Sequence, residues 1–311
     1  MIDLVGKNRW FFLASWILVA IGIISLLVSQ IQLGAPLRLG IDFTGGTSMM
    51  LHINPAEEVT LAQLREEMAE LGYEKARIQD AREGNFIVYT REITSEEAGT
   101  LAERLGTELG TQVEIVDYYL VSETVAVTTA ANALIAVIVA AVAMLFYIVW
   151  AFRRMPSPFR WGICAIVALS HDVFIIVGVF SLLGLLAEVA IDALFITGLL
   201  AVVGYSINNT VVIFDRIREN MSRHISPDFA QTVNSSLVET VARCLNTALT
   251  TLFVLLALLL FGGATIHYFV LVLLLGVIIG TYSSLCISSQ LLVVWEKRDW
   301  RTLLPFVRRP V

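Results

Sequence analysis

Charged side chains are scarce in this chain. Asp, Glu, Lys and Arg make up 15% of its 311 residues, whereas they make up about 25% of an average soluble domain. Cysteine is scarce as well, and Cys164, Cys244 and Cys286 lie in or beside apolar stretches, which excludes a disulfide framework and a CxxC metal or redox site. No Walker A, GxGxxG or HExxH motif is present, so bound nucleotide and zinc-protease chemistry have no support. We therefore expect no enzymatic reaction, no cofactor and no metal.

Long apolar blocks replace the missing charge, with 57% hydrophobic residues and a mean hydropathy of +0.77. A helix that crosses a bilayer needs about 20 mostly apolar residues. Six blocks meet this length: Phe11–Ser29, Ala131–Ala151, Trp161–Leu186, Asp192–Phe214, Val241–Gly262 and Thr265–Trp295. The first is longer than the apolar core of a cleaved signal peptide, so we interpret it as a retained anchor. The sequence thus predicts an α-helical polytopic membrane protein with six transmembrane helices, the last five within residues 131–295.

Lys and Arg lie on one side of these blocks. They flank the blocks in alternate connections: Lys7, Arg9, Arg153, Arg154, Arg160, Arg216, Arg218, Arg223, Lys297, Arg298, Arg301, Arg308 and Arg309. The other short loops, at 187–191 and at Gly263, have none. Because Lys and Arg in short flanking loops stay in the cytoplasm, we predict that both termini, including residues 1–29 up to the end of the first helix and a tail at 296–311, start or end on the cytoplasmic side.

The stretch between the first two blocks, residues 30–130, is polar and acidic. Residues 30–124 contain 7 Lys or Arg against 17 Asp or Glu, a balance that argues against binding to nucleic-acid phosphates. Its pattern predicts the order β-α-β-β-α-β, typical of an inserted, extracytoplasmic α/β domain of ferredoxin-like fold. The predicted elements are Thr47–Ile53, Thr60–Leu71, Ala76–Ala81, Phe86–Arg91, Thr94–Leu109 and Val113–Leu120.

Local signals support these elements. Thr60 with Gln63 and Thr94 with Glu97 have the spacing of capping boxes at helix starts, and residues 83–85 predict a turn between two strands. The domain has one histidine and no cysteine. A binding or lever role is therefore favoured over catalysis.

Asp172 lies near the middle of the third apolar block, directly after His171. A charged group at bilayer depth is costly, which makes it a candidate for function. Two interpretations remain open: a structural hydrogen bond within the bundle, or a proton or ion site. Arg243 at the start of the fifth block also has two, because its long side chain can snorkel to the cytoplasm. With no nucleotide motif, an ion gradient is the expected energy source.

The fourth block ends in a dense polar stretch. Its members are Tyr205, Ser206, Asn208, Asn209 and Thr210, followed by Asp215 and Arg216 at the expected interface. In the sixth block, Gly276 and Gly280 form a GxxxG pattern, which more often marks helix packing than a specific site.

Two motifs relate these residues to a family. The motif positions are Gly40, Asp42, Gly45 and Gly46 after the first block, and Gly204, Tyr205, Asn208 and Thr210 at the start of a longer motif that runs to Asn220. Together with His171, Asp172 and Arg243, they resemble the SecF family, the smaller subunits of the bacterial SecDF protein-export complex. The second motif is long and specific, and the resemblance extends from the first helix to the sixth.

The resemblance implies a function and partners. SecF proteins belong to the resistance-nodulation-division superfamily, and their six helices pair with six from SecD. The complex works beside the SecYEG channel, where it uses the proton-motive force to help preproteins across the bacterial inner membrane. YajC and YidC are further partners that the resemblance implies. The insert corresponds to the periplasmic domain of SecF.

One position departs from the family pattern. The family reads Asn-Asp-Thr-Val-Val where this chain reads Asn208-Asn209-Thr210-Val211-Val212. The resemblance assigns the missing aspartate to proton coupling, near the arginine matched by Arg243. Because asparagine cannot titrate, either coupling is lost here or the proton uses other carboxylates, in Asp172 or in SecD; an introduced substitution is a third reading.

Two alternative functions remain at this point. The chain could be a proton-coupled small-molecule efflux transporter of the same superfamily, although such transporters usually have twelve helices in one chain. It could also be an uncoupled structural subunit of the translocon, which the asparagine at position 209 would favour.

Overall fold

The computed structural model describes residues 3–54, 59–81 and 84–303. Arg308, Arg309 and part of the turn predicted at 83–85 lie outside these residues. The described chain forms two compact units, which divide between Arg38 and Leu39 and between Leu134 and Ile135.

The elements follow the predicted order with shifted ends. The strands are β1 (Gly46–Asn54), β2 (Arg77–Asp80), β3 (Asn85–Thr90) and β4 (Gln112–Val121). The helices are α1 (Asn8–Leu33), α2 (Ile41–Thr44), α3 (Leu61–Glu70), α4 (Ser95–Leu109), α5 (Glu123–Ala151), α6 (Pro158–Leu186), α7 (Ala193–Ser222), α8 (Phe229–Phe261), α9 (His267–Ser283) and α10 (Ser289–Lys297). A π-helical turn, Ser284–Ser288, joins α9 to α10.

The smaller unit has the predicted ferredoxin-like fold. Its sheet is antiparallel throughout, in the order β2-β3-β1-β4. Alternate residues of β1, among them Met49, Leu51 and Ile53, are buried with side chains of α3 and α4, as a sheet with one covered face requires. Both predicted capping boxes form, at Thr60 and at Thr94.

The first motif is not simply a glycine-rich turn. Its residues Ile41–Thr44 form the short helix α2, and Gly45 ends that helix with φ 76°. Gly46 has φ 130°, and a Cβ there would lie 2.5 Å from the carbonyl oxygen of Thr90. Glycine is required because a side chain would both strain this backbone and clash with strand β3.

Six helices are long and apolar enough to cross a membrane: Val5–Leu33, Glu123–Ala151, Pro158–Leu186, Ala193–Ser222, Phe229–Phe261 and Ala264–Lys297. The second, fourth and fifth are longer than predicted, since each helix continues beyond its apolar block. At the end of α7, ion pairs such as Arg218–Asp215 and Arg223–Glu219 join residues three and four apart, which supports a helix in polar surroundings. The sidedness of the termini stays a prediction.

The six spans differ in how much the chain covers them. In the most apolar 18 residues of each, α6, α7 and the sixth span bury 50%, whereas α1 buries 22%, α8 17% and α5 6%. The inner helices are therefore α6, α7 and α9–α10, and the outer helices are α1, α5 and α8.

Small residues bring the inner helices together. A Cβ at Gly276 of α9 would lie 2.0 Å from the Val202 side chain of α7, and a Cβ at Gly280 would lie 3.0 Å from that of Ser206. The GxxxG pattern is thus a packing seam, as expected. It fixes the face of α9 that the next residues present to α6 and α7.

Candidate functional site: a buried carboxyl among three helices

Asp172 is the centre of a polar cluster inside the membrane unit. Its side chain is fully buried on α6, 14 residues after Pro158, or about 21 Å along the helix. Its Oδ2 accepts hydrogen bonds from Ser206 Oγ of α7 and Ser283 Oγ of α9, both at 2.6 Å. One carboxyl oxygen therefore joins all three inner helices.

His171 occupies the other side of the same carboxyl. Its Nδ1 lies 3.1 Å from Asp172 Oδ1, and its buried Nε2 has no hydrogen-bond partner among the described residues. Two hydroxyl donors and an imidazole can stabilise either protonation state of a carboxyl, since each can turn or change tautomer. The arrangement is suited to holding and releasing a proton.

Hydroxyl groups extend this cluster along the sixth span. Ser284 Oγ donates to the carbonyl oxygens of Gly280 and Ser206, at 2.7 and 3.1 Å, and lies 2.9 Å from Thr210 Oγ1. Buried serine and threonine hydroxyls commonly satisfy themselves on the carbonyl four residues earlier in a helix. The cluster therefore remains hydrogen-bonded without water.

Asn209 is buried one helical turn from this cluster. Its side chain is 4% exposed, and its Nδ2 donates to Thr281 Oγ1 at 3.3 Å. Thr281 in turn donates to the carbonyl oxygen of Val277 at 2.7 Å. The carboxamide thus bridges α7 and α9, but offers no group that titrates.

Arg243 is not brought to Asn209 within this chain. It is exposed on α8, and no hydrogen bond or ion pair joins it to another described residue. Asn246, Thr247 and Thr250 are exposed beside it, at the spacing of one helical face. This exposed row is called the α8 polar stripe below.

The remaining predicted residues lie away from the cluster. Asp215 is exposed and pairs with Arg218 on the surface of α7, where an ion pair contributes little. Asn208 and Gly204 are exposed on α7. The hydroxyl of Tyr205 is buried without a partner among the described residues. The four positions of the first motif, Gly40, Asp42, Gly45 and Gly46, belong to the smaller unit.

Sequence reasoning missed the partners on the sixth span. Ser283, Ser284 and Thr281 all contact the site, and none was singled out. The run 283–290, with four serines and a glutamine in an apolar helix, is the signal that pointed to them, because each polar group in such a helix needs a partner.

These features define a class: a multi-pass membrane protein whose inner helices enclose a carboxyl, with an α/β domain inserted after the first helix. The family model for the SecD/SecF C-terminal region of protein export membrane proteins matches residues 102–298, and the model for the SecD/SecF GG motif matches residues 26–50. The protein translocase subunit SecF of Thermobaculum terrenum is 40% identical over 96% of both chains. That of Anaerolinea thermophila is 35% identical, over 97% of this chain and 96% of its own.

A solved structure agrees with these matches. The crystal structure of SecDF, a translocon-associated membrane protein from Thermus thermophilus, superposes with a TM-score of 0.82 and 32% identity over 96% of this chain. This chain spans 39% of that SecDF chain. The chain belongs to the SecF family of protein translocase subunits.

Proposed function

We propose that this chain is a non-enzymatic SecF-type subunit that pairs with SecD beside SecYEG and couples the proton-motive force to preprotein translocation. It would lie in the bacterial inner membrane with both termini in the cytoplasm. YajC and YidC are further partners suggested by the family resemblance. The observation that carries the pairing is the α8 polar stripe, which no described part of this chain covers.

The stripe is poorly suited to lipid. An arginine within a transmembrane helix costs about 2.5–3.5 kcal/mol or more when it faces hydrocarbon, and Asn246 beside it is exposed as well. The outer helix α5 has no such stripe and exposes apolar side chains such as Leu134, Ile138 and Phe146. Lipid therefore suits α5, and the helices of a membrane partner suit α8. SecDF proteins contain about 61% more of the aligned chain than this one spans, which agrees with a separate SecD partner.

Proton coupling would use Asp172 in this chain. Asn209 occupies the family's aspartate position but cannot titrate, whereas Asp172 is a buried carboxyl with hydrogen-bonding partners on three helices. A carboxyl so placed can gain or lose a proton as the inner helices move against one another. The same three helices would then respond to its charge.

The test is preprotein translocation into inverted vesicles that contain SecYEG, SecD and this chain, with and without an imposed proton gradient. We expect the gradient to stimulate the native chain, and Asp172→Asn, which keeps the shape of the side chain, to lose that stimulation while still copurifying with SecD. Asn209→Asp is the matched variant and should keep the stimulation.

Other outcomes separate the alternatives. Stimulation confined to Asn209→Asp would mean that the native chain is an uncoupled structural subunit. Full stimulation of Asp172→Asn would exclude Asp172 as the proton carrier. Failure to associate with SecD or SecYEG would overturn the whole proposal, and proton-coupled efflux of small molecules by this chain alone would favour the transporter alternative.

A further inference from the structure

Gln290 is the most unusual polar group in the membrane unit that the proposed coupling does not use. Its side chain is fully buried on α10, and neither its Oε1 nor its Nε2 has a hydrogen-bond partner among the described residues. A buried amide left in this state costs about 1–3 kcal/mol. Buried polar groups of this kind are usually satisfied by an internal water.

Its neighbours place Gln290 close to Asp172. Ile287 and Val294, three residues before and four after it, share its helix face. Both pack with Ala168 of α6 and Phe12 of α1. Ala168 precedes Asp172 by four residues, or about 6 Å along α6. The amide therefore lies about one helical turn from the buried carboxyl, towards the end of α6 that begins at Pro158.

Polar groups continue on the far side of Gln290. The backbone N–H of Asp299 donates to the carbonyl oxygen of Val294 at 3.1 Å, which holds Asp299 close to the same end of α10. Its Oδ2 accepts from Thr302 Oγ1 at 2.7 Å. Asp299 is partly exposed. A carboxylate, an amide and a second carboxyl thus follow one another from the end of the helix bundle to its interior.

We propose that Gln290 binds an internal water through which protons pass between Asp172 and the end of the bundle where Asp299 lies. The inference rests on the proposed role of Asp172 as proton carrier. Separations of about one helical turn on the Asp172 side and again on the Val294 side suit bridging by one or two waters. The amide donates from Nε2 and accepts at Oε1, so it can hold a water in either orientation while a proton moves past. Gln290 is then a positioning residue that never changes its own charge.

A structural role predicts the opposite behaviour. If Gln290 were only an unpaired amide, replacing it with a leucine or methionine of similar volume would remove a cost and leave proton transfer unchanged. If it holds a water, the same replacement displaces that water and interrupts the path.

The experiment follows the protonated Asp172 carboxyl by infrared difference spectroscopy of the complex with SecD in lipid nanodiscs. The carbonyl band is identified by its loss in Asp172→Asn, and its rate of shift is measured after transfer to deuterated buffer. We expect Gln290→Leu to slow this exchange by about tenfold or more, since leucine cannot reproduce the bridging hydrogen bonds. Gln290→Met serves if the leucine variant folds poorly, and Gln290→Asn should restore part of the rate.

Ser289→Ala is the matched control. Ser289 is buried next to Gln290, but its hydroxyl donates to the carbonyl oxygen of Leu285 in its own helix, so its removal should leave the exchange rate unchanged. A normal rate in both Gln290→Leu and Gln290→Met overturns the water path and leaves the role of Asp172 intact. Absence of an Asp172 carboxyl band at every buffer pH overturns the role of Asp172 and the path together.

Discussion

Asp172 and Arg243 are two ionisable residues of the same membrane unit with opposite surroundings. Asp172 is fully buried and hydrogen-bonded to His171, Ser206 and Ser283. Arg243 is exposed, with no bonded partner in the described chain. The carboxyl site is thus complete within one subunit, whereas the arginine is positioned for a group that another subunit must provide.

The helices that bear them differ in the same way. The inner helices approach so closely that glycine is needed at Gly276, and they bury their serines. The outer helix α8 exposes both polar and apolar side chains at neighbouring positions. A chain that is well packed at its centre and unfinished along one helix is typical of a subunit and not of a self-contained transporter.

Arg243→Ala should have the largest effect on this comparison. If the α8 polar stripe faces SecD, truncation of a charged hydrogen-bonding side chain in that interface costs about 2–5 kcal/mol. We therefore expect gradient-dependent translocation to fall at least about tenfold, with copurification of SecD reduced to a smaller extent. The conservative variant Arg243→Lys should restore part of the activity.

The result that would break the comparison is normal activity and normal copurification in Arg243→Ala. The side chain would then only reach the aqueous interface, and the stripe would no longer indicate a partner. Arg223→Ala controls for general loss of positive charge, since Arg223 is exposed at the end of α7 and pairs with Glu219.

Gly276→Ala and Gly204→Ala should separate the inner and outer surfaces by an intermediate effect. A Cβ at Gly276 would meet Val202, whereas a Cβ at Gly204 would meet nothing within 4 Å. Overpacking of this kind costs about 1–3 kcal/mol. Unfolding of the isolated chain in detergent should therefore occur at lower temperature for Gly276→Ala and be unchanged for Gly204→Ala.

The same pair of variants sharpens the comparison when SecD is present. If a partner helix packs at Gly204, the alanine should weaken the complex although it leaves the isolated chain unchanged. Equal stability of both variants in the isolated chain would contradict the close approach of α7 and α9.

Glu67 of α3 offers the smallest effect and a contrast with Asp172, because it is a carboxyl in a water-exposed domain. Partial shielding from water, with Glu70, Glu108 and Glu66 nearby, raises the pKa of Glu67. Its ionised form therefore opposes folding at neutral pH, and this cost is relieved as the pH falls through the folded-state pKa. Glu67→Gln should raise the unfolding temperature of the domain slightly at pH 7.

That gain should shrink as the buffer is acidified, because the native glutamate then becomes neutral as well. Circular dichroism of the full chain in detergent would follow the transition, with Glu103→Gln on α4 as control. A gain that is independent of pH would show that the neighbouring acids are not its cause.

Much of the architecture was predictable because its signals are local. Apolar length predicted six spans, and side-chain spacing predicted both capping boxes and the order of strands. The ends of α5, α7 and α8 were not predicted, since helices continue into polar sequence where ion pairs and hydrogen bonds support them. Hydrophobicity reports that a segment crosses the membrane and contains no information about where a polar helix end stops.

The site was predicted only in part for a similar reason. Asp172 was found because a charge in an apolar block is conspicuous. Ser206 was noted but not assigned to it, and Ser283 was missed, because small hydroxyl residues are common in membrane helices and their partners depend on how three helices pack. The expected proximity of Asn209 and Arg243 came from the family resemblance, and it is not realised within this chain.

The π-helical turn at Ser284–Ser288 sets the rotational phase of the last third of the sixth span. Each residue of an α-helix advances about 100° around the axis, so the extra residue that such a turn accommodates re-aims everything that follows. Deleting one residue from the turn would restore a regular α-helix and rotate Gln290, Val294 and the rest of α10 by about a quarter turn or more. The buried carboxyl would keep its serine from α9, while the faces that α10 shows to α1 and α6 would be exchanged for others.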